Sequence, residues 1–168
     1  MIEVKARVLF DGQASADVLR LDAPLSFWGG FDPATGIIID NNHPQKGQCI
    51  KARVLVMPAT RGSGGTPGGV AEAIRNGSGP AAVIMGEGDV NVMVGAAVAR
   101  ELYGLTCPIL EVTGKDYETV AAARRLRIHE GGTIVLDGEA CQPFSSSLRR
   151  TMNAFNASSA ASSIGGSS

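Results

Sequence analysis

The stretch from residue 50 to residue 75 does most to limit what this chain can fold into. Residues 50–57 (IKARVLVM) have the apolar, β-branched texture of a strand buried within a sheet, and Pro58, which has no N–H, ends its pairing. Residues 70–75 then read as the body of a helix. Thr66 is placed to cap its start, Pro67 to occupy the first helical position, and Asn76-Gly77 to stop it. Between strand and helix lies Pro58-Ala59-Thr60-Arg61-Gly62-Ser63-Gly64-Gly65-Thr66-Pro67-Gly68-Gly69, with five glycines from Gly62 to Gly69.

The flanking sequence continues the alternation of strand and helix. Residues 3–10 predict one strand, with Val4, Ala6, Val8 and Phe10 alternating against Glu3, Lys5 and Arg7, closed by an Asp11-Gly12 turn. A second strand is expected over 16–21, turn chemistry over 27–36 (FWGGFDPATG), and a short β-branched run over 37–39 before the turn at 40–44. Downstream come a strand over 81–85, a long helix over 90–103 stopped by Gly104, and a strand over 108–112. A helix over 116–123 follows, then a hairpin over 126–136 about Gly131-Gly132. The pattern is α/β, with central parallel strands and antiparallel additions.

The carboxyl end of a strand meeting the start of a helix is where such folds hold ligands, because helix N–H groups and the helix dipole favour an anion there. Glycine lets backbone approach an anion closely, and Arg61 adds a fork suited to carboxylate or phosphate. Gly62, Gly64, Gly65 and Thr66 complete a candidate substrate-binding loop, with the Ser63 hydroxyl in its middle. A bare strand-to-helix connection needs about two to six residues, so a simple linker explains this window poorly. Three named motifs fail. A P-loop needs Lys-Ser/Thr where Val70-Ala71 stands, a nucleophile elbow needs glycine where Arg61 stands, and the dinucleotide fingerprint ends on Pro67 instead of Gly or Ala. The residues by themselves support anion binding; they do not establish a reaction at Ser63.

Net charge is −1 with both signs interleaved, which leaves no footprint for nucleic acid. No apolar run approaches the roughly 20 residues of a membrane span, and the first ten residues read as a strand and not a signal peptide, so a cytoplasmic location is expected. Cys49, Cys107 and Cys141 are too dispersed for a disulfide framework or a metal knuckle, and His43 and His129 lack ligand spacing. No metal site is therefore expected in this chain alone. Residues 1–144 form the expected domain; 145–168, with nine serines, read as a flexible tail.

Three segments together resemble one family: Leu21-Asp22-Ala23-Pro24-Leu25-Ser26-Phe27-Trp28-Gly29-Gly30-Phe31-Asp32-Pro33-Ala34-Thr35-Gly36, then Ile39-Asp40 with His43-Pro44, and Arg61-Gly62-Ser63 after the buried strand. The pattern is similar to the small subunit, or small domain, of aconitase X. That resemblance implies a swivelling β/β/α domain of the aconitase superfamily, docked on a large subunit that carries an iron or iron–sulfur centre. It implies dehydration of a small hydroxy acid, cis-3-hydroxy-L-proline in one branch and a phosphorylated mevalonate in another. It also implies that Ser63 is the catalytic base. Family members usually follow that serine with Cys or Thr and a Gly-Ser pair, whereas this chain reads Gly64-Gly65-Thr66.

Asp32 before Pro33 and His43 before Pro44 are turn residues by their setting; the resemblance adds them as residues lining the substrate site. Trp28 suits an interface with the large subunit, and Glu87 and Asp89 favour the dipole of the helix that follows. A module of the same fold that binds an anion without catalysis, and a scaffold that recruits a partner through its tail, are the competing readings.

Overall fold

One alternating run, residues 2–10, supplies both edges of the sheet. In the computed structural model, which describes residues 1–62 and 64–137, this run divides at Ala6 into β1 (Ile2–Lys5) and β2 (Arg7–Phe10). β1 pairs antiparallel with β8 (Thr133–Leu136), and β2 pairs antiparallel with β6 (Ile109–Glu111). The other strands are β3 (Ala14–Arg20), β4 (Val54–Met57), β5 (Ala82–Met85) and β7 (Arg125–His129), giving the order β1-β8-β7-β3-β4-β5-β6-β2. Because β1 and β2 are consecutive, the sheet curls until its two ends meet, and the result is nearly a barrel. The Ala6 amide donates to the Gly132 carbonyl at 2.8 Å, on the seam where one half of the run passes to the other. The single strand expected over 3–10 is thus continuous in sequence but serves two partners.

The parallel centre is β3-β4-β5-β6. At its middle β4 and β5 are buried on both faces, as their unbroken apolar sequences require. Val54, Val56, Ala82, Ile84 and Leu110 point into the curled sheet with Leu126, Ile128 and Ile134. Leu55, Met57, Val83, Met85 and Ile109 point outward, beneath α1 (Thr66–Asn76) and α2 (Val90–Tyr103). The third helix, α3 (Gly114–Ala121), adds Val120 and Ala121 to the inner core. Each such buried aliphatic side chain contributes about 1.5–3 kcal/mol relative to exposure. α1 and α2 cross closely at Gly95, where a Cβ would stand 2.6 Å from Val70 Cβ and 2.7 Å from the Pro67 carbonyl oxygen. Cys107 lies under these layers, and burial pushes its thiol up to about 12.

Residues 21–53 join β3 to β4 and cover the outer core with little regular structure. Leu21, Leu25, Phe27, Phe31, Ile38 and Ile50 are buried, and the Phe27 and Phe31 rings meet edge to face at 5.8 Å. A connection this long is usually functional.

Two expectations are corrected. The strand expected over 50–57 begins only at Val54, because residues 51–53 form a turn in which Ala52 has φ 56° and Arg53 N donates to the Ile50 carbonyl. Thr66 does not cap α1; Gly65 holds that position, and Thr66 is fully buried inside the first turn with Pro67 beside it. The tail expected over 145–168 lies outside the described residues. Among the described residues, no helix is long and apolar enough to cross a membrane.

Candidate functional site

Beyond Met57, at the carboxyl end of β4, the glycine-rich loop is fastened residue by residue. Thr60 bridges Leu25 in parallel register, and the Arg61 amide donates to the Leu25 carbonyl at 3.1 Å. The Thr60 hydroxyl donates to Asp89 Oδ2, and Asp89 Oδ1 accepts the Asn91 amide at 2.8 Å, which makes Asp89 the N-cap of α2. Arg61 Nη2 lies 2.6 Å from Asp40 Oδ2. Asp40 is itself held in the turn before His43, its Oδ1 accepting the Asn42 amide at 2.9 Å. The carboxylate is mostly shielded while the guanidinium stays mostly exposed, with relative exposures of 16% and 64%. A guanidinium carries five N–H donors, so one ion pair leaves donors for a second anion.

The glycines divide by what surrounds them. A Cβ on Gly65 would meet the Trp28 ring at 2.6 Å, and one on Gly69 would meet the Phe27 carbonyl oxygen at 1.9 Å. Those two are required by close packing of α1 on the 21–53 connection. Gly64 and Gly68 face open space, and Gly62 has only Asp89 Oδ2, 3.5 Å from where a Cβ would stand. Gly68 lies within the first turn of α1, where alanine is favoured by roughly 1 kcal/mol. No neighbour within the described residues explains its lack of a side chain.

The Trp28 indole is 64% exposed; its backbone is shaped by the Ser26 hydroxyl, which accepts the Trp28 amide at 3.2 Å and donates to its carbonyl at 2.9 Å. Trp28, Ile39, Asp40 and Arg61 line an open cleft of about 410 Å³. A larger groove, about 800 Å³, lies beside Arg53 and Arg124, at the opposite end of β4. We place the candidate site at the smaller cleft, because the glycine-rich loop and the α1 N-terminus are there. No acidic residue stands in the first turn of α1. Asp40 and Asp89 nevertheless bring two carboxylates to the loop, so its electrostatics are mixed and not simply positive.

The remaining expected site residues are placed as follows. Asp32 sits in its own turn, with Oδ1 accepting the Ala34 amide at 3.0 Å and Oδ2 the Thr35 hydroxyl at 2.7 Å. The Thr35 hydrogen bond, then that of Ala34, lowers its carboxyl below the ordinary value. His43 is buried; Nδ1 accepts the Gln45 amide at 3.1 Å, which leaves Nε2 as the donor to the Ala23 carbonyl, also at 3.1 Å. Both side chains therefore stabilise the 21–53 connection. Ser63 lies outside the described residues, between the described Gly62 and Gly64. Thr60, Asp40 and Asp89 join the site although the loop composition did not single them out; Asp40 stood in a segment that carries the family resemblance, and Asp89 stood directly before a helix.

The donor set here is one guanidinium, two hydrogen-bonded carboxylates and a hydroxyl. Among the described residues no cysteine lines this cleft, and no three His, Cys, Asp or Glu side chains gather as metal ligands. This arrangement does not fit an iron or iron–sulfur group held by this chain.

Residues 3–136 match the family model described as the aconitase X swivel domain. The chain is 34% identical over 130 residues to a cis-3-hydroxy-L-proline dehydratase of Hypocrea jecorina, covering 77% of this chain and 22% of that protein. It thus spans about a fifth of the length of the hydroxyproline dehydratases it matches. It is 36% identical over 141 residues to the phosphomevalonate dehydratase small subunit of Thermococcus gammatolerans, covering 82% of this chain and 100% of that subunit. The crystal structure of Thermococcus kodakaraensis aconitase X in its holo-form superposes with a TM-score of 0.69 at 26% identity, over 82% of this chain and 100% of that one.

Proposed function

Because the chain belongs to the aconitase X swivel-domain family, we propose that it is the small, swivelling part of a hydro-lyase that dehydrates a hydroxy acid, and that Ser63 is its catalytic base. The best candidate substrate is cis-3-hydroxy-L-proline; a phosphorylated mevalonate is the alternative. The observation that carries this reading is the Arg61–Asp40 ion pair, which fixes a guanidinium two residues before Ser63 and beside the start of α1.

In the proposed reaction Arg61 receives the substrate carboxylate, with the loop amides closing around it. Ser63 takes the proton from the carbon next to that carboxylate. The electron pair left behind forms the double bond as the neighbouring carbon expels its hydroxyl group, which takes the proton now carried by Ser63 and leaves as water, returning Ser63 to its starting state. A serine hydroxyl acts as a base only where its alkoxide is stabilised, and a helix N-terminus, loop N–H groups and a cation favour that charge. The described residues at the site do not suit an iron centre, so the iron or iron–sulfur group expected of the family is assigned to a larger partner subunit. The chain alone is expected to be inactive.

Replacing Ser63→Ala in the assembled enzyme tests this: turnover should fall by several orders of magnitude while substrate binding and assembly persist. Normal turnover would remove Ser63 from the chemistry. The second reading, an anion-binding module without catalysis, is favoured by the departure from the family pattern at Gly64-Gly65-Thr66. It would prevail if the intact complex bound hydroxy acids and released no water from any of them.

A further inference from the structure

We propose that the exposed apolar stripe on α2 is the docking surface for the larger chain that completes the dehydratase; this rests on the reading of the chain as the small part of such an enzyme. Val90, Val94, Val98 and Leu102 recur once per turn, and their relative exposures are 62%, 38%, 37% and 67%. They span about 18 Å of helix. Leu105, 41% exposed, extends the row beyond Gly104.

The opposite side of the same helix is already buried: Val92, Gly95, Ala96 and Ala99 pack into the protein. Of its few polar side chains, Arg100 is occupied over the Phe10 ring at 4.5 Å. The exposed side also carries Asn91 and Glu101, yet the four aliphatic side chains between and beside them have no cover within the described residues.

Two observations select the occupant. The stripe begins at Val90, immediately after Asp89, whose carboxylate holds Thr60 in the candidate site. At the cleft itself Trp28 and Ile39 are also exposed. A body that covers the site therefore meets apolar surface there as well as along α2. Five partly exposed side chains fall short of the roughly 800 Å² per partner of a standard interface, which disfavours a dimer of this chain built on the stripe alone. A larger polypeptide covering the site and continuing along α2 meets that requirement.

The test titrates the full chain into the large aconitase-X-type chain from the same source, by sedimentation and by recovered turnover. Val94→Asp and Leu102→Asp should each weaken association at least tenfold, with turnover restored at saturating partner; Val94→Ile should match the wild type. Circular dichroism checks that each variant is folded, and Val94→Gln and Leu102→Gln replace any that is not. Unchanged affinity of folded variants overturns the stripe while leaving the dehydratase reading intact. A dimer of this chain alone, dissociated by the same substitutions, also overturns it. Failure of the wild type to bind the large chain overturns both.

Discussion

Asp89 holds Thr60 with one carboxylate oxygen and the first turn of α2 with the other. The candidate loop and the longest helix are thereby fastened through a single side chain. Asp89→Ala should cost about 1 kcal/mol through the lost cap, measured by urea unfolding. Thr60→Val, which spares the cap, should leave stability nearly unchanged yet lower turnover of the assembled enzyme. Equal turnover in Thr60→Val and wild type would show that the hydroxyl has no part in shaping the site.

The Arg61–Asp40 pair separates stability from recognition. Its arginine is largely solvated, so breaking it should change stability by less than about 1 kcal/mol. Arg61→Lys substitutes a point charge for a fork, and should raise KM several-fold with a smaller effect on kcat. An unchanged KM in the assembled enzyme would count against Arg61 as the carboxylate-binding group.

Two adjacent glycines should respond with opposite signs. Gly68→Ala meets no atom of the described residues and replaces glycine within a helix, so it should stabilise the chain by roughly 0.5–1 kcal/mol. Gly69→Ala drives a methyl into the Phe27 carbonyl and should destabilise it. If the space over Gly68 is used by substrate or partner, Gly68→Ala should also reduce turnover while raising the unfolding midpoint.

The Asp32 turn sets an acid limit. Its carboxyl is lowered by the hydrogen bonds from Thr35 and Ala34, so the folded group binds its proton at lower pH than the unfolded one. The stabilisation is present above the unfolded value and is lost as pH falls through the folded one. A carbon-detected titration should place Asp32 below the ordinary 3.8, and Thr35→Val should return it toward that value. A midpoint at or above 3.8 in the intact chain would contradict the observed geometry.

Local chemistry was readable where neighbours in sequence decide it. α2 runs over the residues its periodicity indicates, with Asp89 before it and Gly104 after it, because cap, spacing and stop are all local signals. The division at Ala6 was not readable: alternation in residues 2–10 is the same whether the run pairs with one partner or two, and only the curl of the sheet decides. Residues 50–57 looked like one strand because Ile50 opens an apolar run, yet a turn over 51–53 separates it from β4. The Arg61–Asp40 and Thr60–Asp89 contacts link residues 21 and 29 positions apart, beyond any periodic signal. The resemblance pointed to the turn around Asp40 and His43, which spacing does not single out.

A seam between residues 2–10 and β6 and β8 carries a kinetic consequence. Residues 2–5 cannot find their β8 partner until Leu136 has been made, so until then they exist as an unpaired, half-apolar ribbon. Pairings this distant in sequence close slowly, and unmatched strand margins recruit strangers in the meantime. Lys5 and Arg7, flanking the split, put a like charge on each half of that waiting ribbon, a built-in deterrent against copies of itself.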